Sequence, residues 1–205
     1  MILVWIFSAL ACVFWFILFS PWTSGLIAFW PMMVAATGFL AFVGFLAQQE
    51  SADIYRLRIW HVLAGACSAL LLYGIFYIGR KILVLAFPAS VFEIEDVYGI
   101  RDGAPAGLVV FLLLFWIGPA EEIFWRGFIQ QRCTKNYGAW KGLALATVIY
   151  MLVHAWSVNV TLVLAAGVCG LWWGAQFLIF RNLWPVIISH AVWDVMIFIV
   201  WPMNA

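Results

Sequence analysis

The sequence predicts an all-α fold, a polytopic transmembrane bundle of about seven to eight helices. Three observations predict it: 67% of the 205 residues are hydrophobic, only 9% are charged, and the mean hydropathy is +1.08. A soluble domain carries about 25% charged residues. The composition therefore predicts an integral membrane protein, and we expect it to interact with the lipid bilayer.

Seven apolar runs have about the length that a membrane-spanning helix needs, roughly 20 residues. In chain order they are 2–20, 26–47, 59–78, 106–129, 142–156, 161–180 and 184–201. No basic segment precedes the first run, so we interpret it as a membrane helix and not as a removed signal peptide. No loop is long enough for a second domain, so we expect residues 1–205 to form a single integral-membrane domain.

A shorter run, 82–92, contains Pro88. It is too short to span a bilayer alone, and we interpret it as an interfacial or re-entrant segment, with an eighth crossing left open. The loop Lys and Arg residues indicate the orientation. One side of the alternating helices has Arg56, Arg58, Arg132, Lys135, Lys141 and Arg181, and the other has Arg80, Lys81 and Arg101. The positive-inside rule then predicts a cytoplasmic N-terminus.

Charge and cysteine content exclude several classes of protein. The net charge of +1 provides no basic surface for nucleic acid. The four cysteines form no C-x-x-C pair, so we expect no disulfide framework.

Away from the loops, few polar residues interrupt the apolar runs: Glu121, Glu122, Arg126, His154, His190 and Asp194. A charged side chain there costs about 2.5 to 3.5 kcal/mol on insertion scales, so each residue is a functional candidate. Counted from the nearest basic loop residue at about 1.5 Å per residue, the carboxylates and histidines of three helices lie roughly 14 to 20 Å deep. This similar depth predicts one shared site.

The stretch GPAEEIFWRGFIQQR, residues 118–132, holds three of the six. Glu122 and Arg126 are spaced i,i+4, which predicts a supporting ion pair. Glu121 lies about 100° away on the helix, beside apolar residues, so we predict that it is the general base. Pro119 lacks an N–H, which predicts that the helix breaks or restarts beside Glu121.

Each polar residue also has a structural interpretation. Glu122 and Arg126 could tie helices together, a buried histidine is usually a satisfied core residue, and His190 with Asp194 could join two helices. Together these interpretations are less favoured, because a structural role does not require two histidines and an unpaired carboxylate at one depth.

Three short motifs carry a family resemblance. EEIFWR resembles E-E-x-x-x-R, YMLVH resembles aromatic-x-x-x-H, and HAVWD resembles H-x-x-x-D/N. These motifs, in this order, are similar to those of the CAAX-protease and bacteriocin-processing family (the Abi or type II CAAX prenyl endopeptidase group). They cover residues 118–194. In this chain Tyr150 stands where phenylalanine is common, and Asp194 stands where the prenyl-protein enzymes often have asparagine.

The resemblance implies a multi-pass intramembrane endopeptidase of a prokaryotic cell membrane, acting on a membrane-associated protein or peptide. It implies that Glu121 and His154 activate water, while His190 and Asp194 stabilise the oxyanion. We expect no cofactor, because the H-E-x-x-H spacing of helical zinc proteases is absent. A zinc metalloprotease with ligands Glu121, His154 and His190 is the nearest alternative.

Two other classes of protein stay open. A proton-coupled transporter also uses buried Glu, His and Asp, although the sequence shows no inverted repeat. A non-catalytic membrane scaffold would bind a partner's membrane segment without cleaving it.

Overall fold

The computed structural model describes residues 1–48 and 52–203, and within these ranges the chain folds into eight α-helices and no strands. The predicted all-α polytopic fold is confirmed. The helices are α1 (Ile2–Phe19), α2 (Phe29–Ala47), α3 (Ile59–Ala86), α4 (Ser90–Gly99), α5 (Ala106–Tyr137), α6 (Ala139–His154), α7 (Val160–Phe180) and α8 (Trp184–Val200). All four cysteines are free.

Six helices are long and apolar enough to cross a membrane: α1, α2, α3, α5, α7, and α6 with the turn that follows it. α8 is apolar but shorter. α3 exposes large apolar side chains such as Leu63, Leu71 and Ile78. Lipid can solvate such surfaces, so they need no covering layer of protein.

The run 82–92 does not form a separate element. Its first residues end α3, and its last residues begin α4. Pro88 explains the division, because proline cannot continue the hydrogen-bond ladder and disfavours helical geometry in Phe87 before it. Phe87 accordingly has φ −141° and ψ 83°. α4, with 10 residues, is too short to cross a bilayer.

The helix does not end at Pro119, but its α-helical geometry restarts there after a wide turn. α5 continues from Ala106 to Tyr137 and contains two wide π turns, Leu113–Ile117 and Trp125–Gln130. The first π turn lies directly before Pro119, and there Gly118 N–H donates to Leu113 O. The wide turn accommodates the missing proline N–H without ending the helix.

Small residues bring α8 close to its two neighbours. A Cβ added at Gly65 of α3 would lie 2.7 Å from Ile188 Cβ of α8, and one added at Gly118 of α5 would lie 3.1 Å from Ala191 Cβ. Glycine permits this close approach between membrane helices. α8 therefore lies between α3 and α5, and its polar residues can reach both.

One end of the bundle gathers the basic loops, and we name it the basic end. Leu183 N–H donates to Ile54 O, Asn182 Nδ2 donates to Arg56 O, and the Arg132 guanidinium donates to Ala47 O. These bonds place the loops around 52–58, 132 and 181–183 on one side of the bundle. The shared side agrees with the predicted topology, whereas its assignment to the cytoplasm stays a prediction.

The opposite end is covered by α4, and we name it the α4 end. Thr161 donates to Glu93 Oε2 from its backbone N–H at 2.8 Å and from its hydroxyl at 2.6 Å. Burial opposes the charged form of Glu93, but the hydrogen bonds from Thr161 and Val160 together outweigh it and lower the pKa of this carboxyl. Tyr98 OH accepts from Met203 N–H at 2.8 Å. α4 is thereby tied to α7 and to the segment after α8.

Candidate active site

Glu122 lies at the contact of α5 and α8. Its Oε1 accepts a hydrogen bond from Arg126 Nη1 at 3.0 Å, as the i,i+4 spacing predicts. The same oxygen accepts from His190 Nδ1–H at 2.6 Å. All three side chains are buried. Glu122 therefore contacts a candidate catalytic histidine as well as Arg126.

Arg126 connects α5 to two further helices. Its guanidinium lies 5.1 Å from the ring centroid of Tyr150 on α6 and 5.5 Å from that of Trp173 on α7. Its Nη2 donates to Cys169 O at 3.5 Å. Cation–π contacts of this kind strengthen when they are desolvated. Arg126 therefore fixes Glu122 relative to the helices that surround the site.

His190 is held on three sides. Glu122 binds Nδ1, the ring stacks on Trp173 with centroids 3.8 Å apart, and Nε2 lies 3.4 Å from Asp194 Oδ2. A separation of 3.4 Å is long for a charged hydrogen bond. Glu122 and Trp173 therefore hold the ring, while Asp194 lies beside Nε2.

Glu121 has different surroundings from its neighbour. Its Oε2 accepts a hydrogen bond from Tyr150 OH at 3.3 Å, and the residue lines a cavity that Glu122 does not line. The helical offset of about 100° between adjacent residues accounts for this separation. The sequence did not reveal the Tyr150 contact, although the hydroxyl is the group by which Tyr150 differs from phenylalanine.

His154 ends α6 and uses both ring nitrogens within the protein. Nδ1–H donates to Tyr150 O at 2.7 Å, and Nε2 accepts from Trp15 Nε1–H at 3.0 Å. These partners assign the tautomer. Sequence reasoning missed Trp15 of α1. A signal was present, because Trp15 lies inside an apolar run, whereas the tryptophans of membrane interfaces lie near run ends.

The four residues predicted to catalyse, Glu121, His154, His190 and Asp194, line one cavity of about 390 Å³. Most other lining residues are apolar. The expectation of a shared location is therefore met for these side chains. An apolar cavity with a few polar groups at one place is the usual form of a small binding site.

The cavity lies between α3 and α7 toward the α4 end. Near the basic end these helices are joined by a 2.8 Å hydrogen bond from Trp172 Nε1 to Ser68 Oγ. Farther along, Ile75 of α3 with Leu164 and Val168 of α7 line the cavity and are 40 to 47% exposed. Residues that face both the cavity and the outer surface mark an opening toward lipid.

A metal-binding group is not assembled in the part of the chain that the structure describes. There, no three His, Cys, Asp or Glu side chains are placed to hold a metal ion. His154 shows a physical reason, because the Nε2 lone pair that would bind zinc accepts the N–H of Trp15.

The fold and the site together define a class: a polytopic membrane protein with two carboxylates and two histidines around a cavity inside the bilayer region. The family model described as type II CAAX prenyl endopeptidase Rce1-like matches residues 104–196. The range contains all three motifs, so the predicted resemblance to this family is confirmed. No curated protein and no solved structure matches the chain.

Proposed function

We propose that the protein is an intramembrane endopeptidase that hydrolyses a peptide bond of a membrane-associated protein or peptide without a metal. One observation carries the proposal: Glu121 faces the apolar cavity that His190 and Asp194 also line, while Arg126 is bound to Glu122. The carboxylate facing the cavity is therefore available to bind water. The match of residues 104–196 to a model of a protease family supports the same reaction.

Glu121 is the proposed general base. It takes a proton from a water molecule, whose oxygen then forms a bond with the carbonyl carbon of the substrate. Tyr150 OH holds one carboxylate oxygen and leaves the other for water. His154, which Tyr150 also holds, binds the water when its Nε2 exchanges the Trp15 N–H for a water O–H.

His190 is the proposed oxyanion donor. Since Glu122 fixes Nδ1, the opposite nitrogen, Nε2, is directed to the side where Asp194 lines the cavity. An Nε2–H there can stabilise the negative charge on the carbonyl oxygen of the tetrahedral intermediate. Breakdown of the intermediate breaks the C–N bond, and Glu121 returns its proton to the leaving amine.

The proposed substrate reaches the site through lipid. The opening between α3 and α7 is lined by Ile75, Leu164 and Val168, all of which favour an apolar segment over a hydrated one. A membrane-associated chain could enter from the bilayer at the α4 end without unfolding the bundle.

The test is cleavage by the purified protein in nanodiscs. Membrane-anchored peptides with varied C-terminal tails are incubated with the wild type, with Glu121→Gln and with Glu95→Gln, and mass spectrometry locates any cut. Glu95 is an exposed acid of α4 and serves as the matched control. We expect cleavage by the wild type and the control, and none by Glu121→Gln. A folded Glu121→Gln protein that cleaves at the wild-type rate would overturn the proposal, and binding without cleavage by the wild type would indicate a scaffold.

A further inference from the structure

Trp173 of α7 contacts both groups that donate to Glu122 Oε1. Its ring centroid lies 3.8 Å from that of His190, with an angle of 21° between the ring planes, and 5.5 Å from the Arg126 guanidinium. These two side chains hold the same carboxylate oxygen. Trp173 is only 1% exposed, so the indole is enclosed by protein. A residue outside the three sequence motifs therefore packs against the whole Glu122 cluster.

The edge of the indole is held as well as its face. Trp173 Nε1–H donates to Ser189 Oγ at 3.2 Å, and Ser189 directly precedes His190 on α8. The face of the indole thus packs on one residue of α8, while its edge is bonded to the residue before it. Stacked rings tolerate a range of offsets, so stacking alone would permit the two rings to slide. The hydrogen bond at the edge opposes that motion.

Ser189 is in turn held by α3. The Ser68 and Ser189 hydroxyls are hydrogen-bonded at 2.9 Å, and Ser68 Oγ also accepts from Trp172 Nε1–H at 2.8 Å. Two neighbouring tryptophans of α7 therefore direct their indole N–H groups at one pair of buried serines. Hydrogen bonds between membrane helices fix their relative position, and a buried polar network that is well bonded is rigid. The position of Trp173 is thus set by α3 and α8 together.

The other histidine of the site has a different ring environment. His154 meets Tyr150 at 69° and Trp15 at 75°, with ring centroids 4.8 Å and 5.8 Å apart. The last side-chain torsion of histidine is broad, so its neighbours and not its torsional preference decide where the ring lies. In a close-packed interior, a parallel ring 3.8 Å away has to be displaced before His190 can turn edge-on. Stacking therefore confines the plane of His190 in a way that edge contacts do not confine His154.

We propose that Trp173 is a positioning residue: it holds the plane of the His190 ring so that Nε2–H stays directed at the oxyanion, and Ser189 holds the indole edge. The inference rests on the proposed function of His190 as the oxyanion donor. The hydrogen bond to Glu122 fixes Nδ1 alone, and the imidazole could still pivot about that bond. Trp173 removes this freedom. An oxyanion donor is effective because it is already in place when charge develops, so a pivoting ring lowers kcat.

Two substitutions separate the indole face from its N–H. Trp173→Phe keeps an aromatic face without an N–H and should lower kcat about two- to tenfold, with KM within about twofold of the wild type. Trp173→Leu loses both and should lower kcat by about tenfold or more, toward the roughly 10² to 10³ expected when the donor itself is lost. Trp184→Phe and Trp184→Leu are the matched controls, because this half-buried indole donates to Tyr55 O at the basic end. A wild-type kcat in Trp173→Phe, or equal losses of kcat in the two leucine variants, would overturn the proposal.

A double-mutant cycle tests the edge of the indole. Ser189→Ala removes the oxygen that accepts the Trp173 N–H, so it should lower kcat about as much as Trp173→Phe. Both changes break the same hydrogen bond, and the combined variant should therefore lose little more kcat than either single variant. Such non-additive losses support Ser189 as the group that holds the indole edge. Losses that add in the combined variant would overturn that assignment.

NMR relaxation of the histidine rings separates this inference from the proposed function. The chain has three histidines, so histidine-labelled protein in nanodiscs gives few ring signals, and His61→Gln and His154→Gln assign them. The order parameter of the His190 ring should be that of a rigid group in the wild type and should fall in Trp173→Leu. The rings of His61 and His154 should not change and serve as internal references. This result supports the positioning role even if no peptide is ever cleaved, whereas a His190 ring that stays equally rigid in Trp173→Leu overturns it.

Discussion

His190 Nδ1 lies 2.6 Å from Glu122 Oε1, so the second glutamate of the adjacent pair holds a histidine of the site across the α5–α8 contact. The first glutamate, Glu121, instead meets Tyr150 OH and the cavity. The two carboxylates therefore have separate proposed tasks, one in chemistry and one in positioning.

Replacing Glu122 with glutamine should lower both stability and turnover. Arg126 would lose its carboxylate, and breaking a buried ion pair costs about 3 to 5 kcal/mol. His190 would lose the charged acceptor that orients it, so kcat should fall as well. Thermal unfolding and peptide cleavage measure the two effects, with exposed Glu95→Gln as the control. A lower Tm with an unchanged kcat would return Glu122 to a purely structural role.

His190 and Asp194 should respond differently to substitution. His190→Ala removes the proposed oxyanion donor, and losing such a donor typically costs about 2.7 to 4 kcal/mol, or a factor of roughly 10² to 10³ in kcat. Asp194→Asn keeps an oxygen acceptor beside Nε2 and matches the related motif, so much of the activity should survive. Steady-state kinetics of the two variants measure this difference in kcat. Equal, mild losses of kcat in both would contradict the roles proposed for His190 and Asp194.

Tyr150→Phe should reduce kcat while leaving the fold intact. The change removes only the hydroxyl that donates to Glu121, a bond worth about 0.5 to 1.5 kcal/mol, so kcat should fall roughly two- to tenfold. Tyr137→Phe, at a half-exposed tyrosine of the basic end, is the matched control. An unchanged kcat in Tyr150→Phe would mean that the hydroxyl does not position the base.

Removing metal should not remove activity. Protein purified in a chelator should cleave its substrate at the wild-type rate and contain no stoichiometric zinc by elemental analysis. Activity that disappears with the chelator and returns with zinc would overturn the metal-free mechanism and support the zinc alternative with Glu121, His154 and His190. The Trp15 N–H would then have to release His154 Nε2 when metal binds.

Cysteine labelling tests the orientation. In a cysteine-free background, an impermeant reagent applied from outside the cell should label a cysteine at Asp96 but not one at Lys135. The reason is the excess of Lys and Arg at the basic end, which the positive-inside rule places in the cytoplasm. Position 205, which we also expect outside, lies beyond the described residues. External labelling at 135 would reverse the topology and direct the cavity to the other compartment.

The sequence by itself indicated that the protein lies in a bilayer, which segments form its helices, and which residues are candidates for function. A bilayer needs long apolar helices and tolerates few charged residues. An apolar run such as 2–20 and a charged residue within such a run, such as Glu121, can therefore both be recognised from the linear sequence. The i,i+4 pair Glu122–Arg126 was predictable because helical periodicity alone places the two side chains together.

Only the tertiary structure decided which partner each polar group has. Trp15 meets His154 across 139 residues of chain, and Glu122 meets His190 across 68. Such contacts depend on helix rotation and on close approach at Gly118, which local spacing does not encode. The effect of Pro119 is a further case: whether the helix breaks or widens into a π turn before restarting is seen only in the structure.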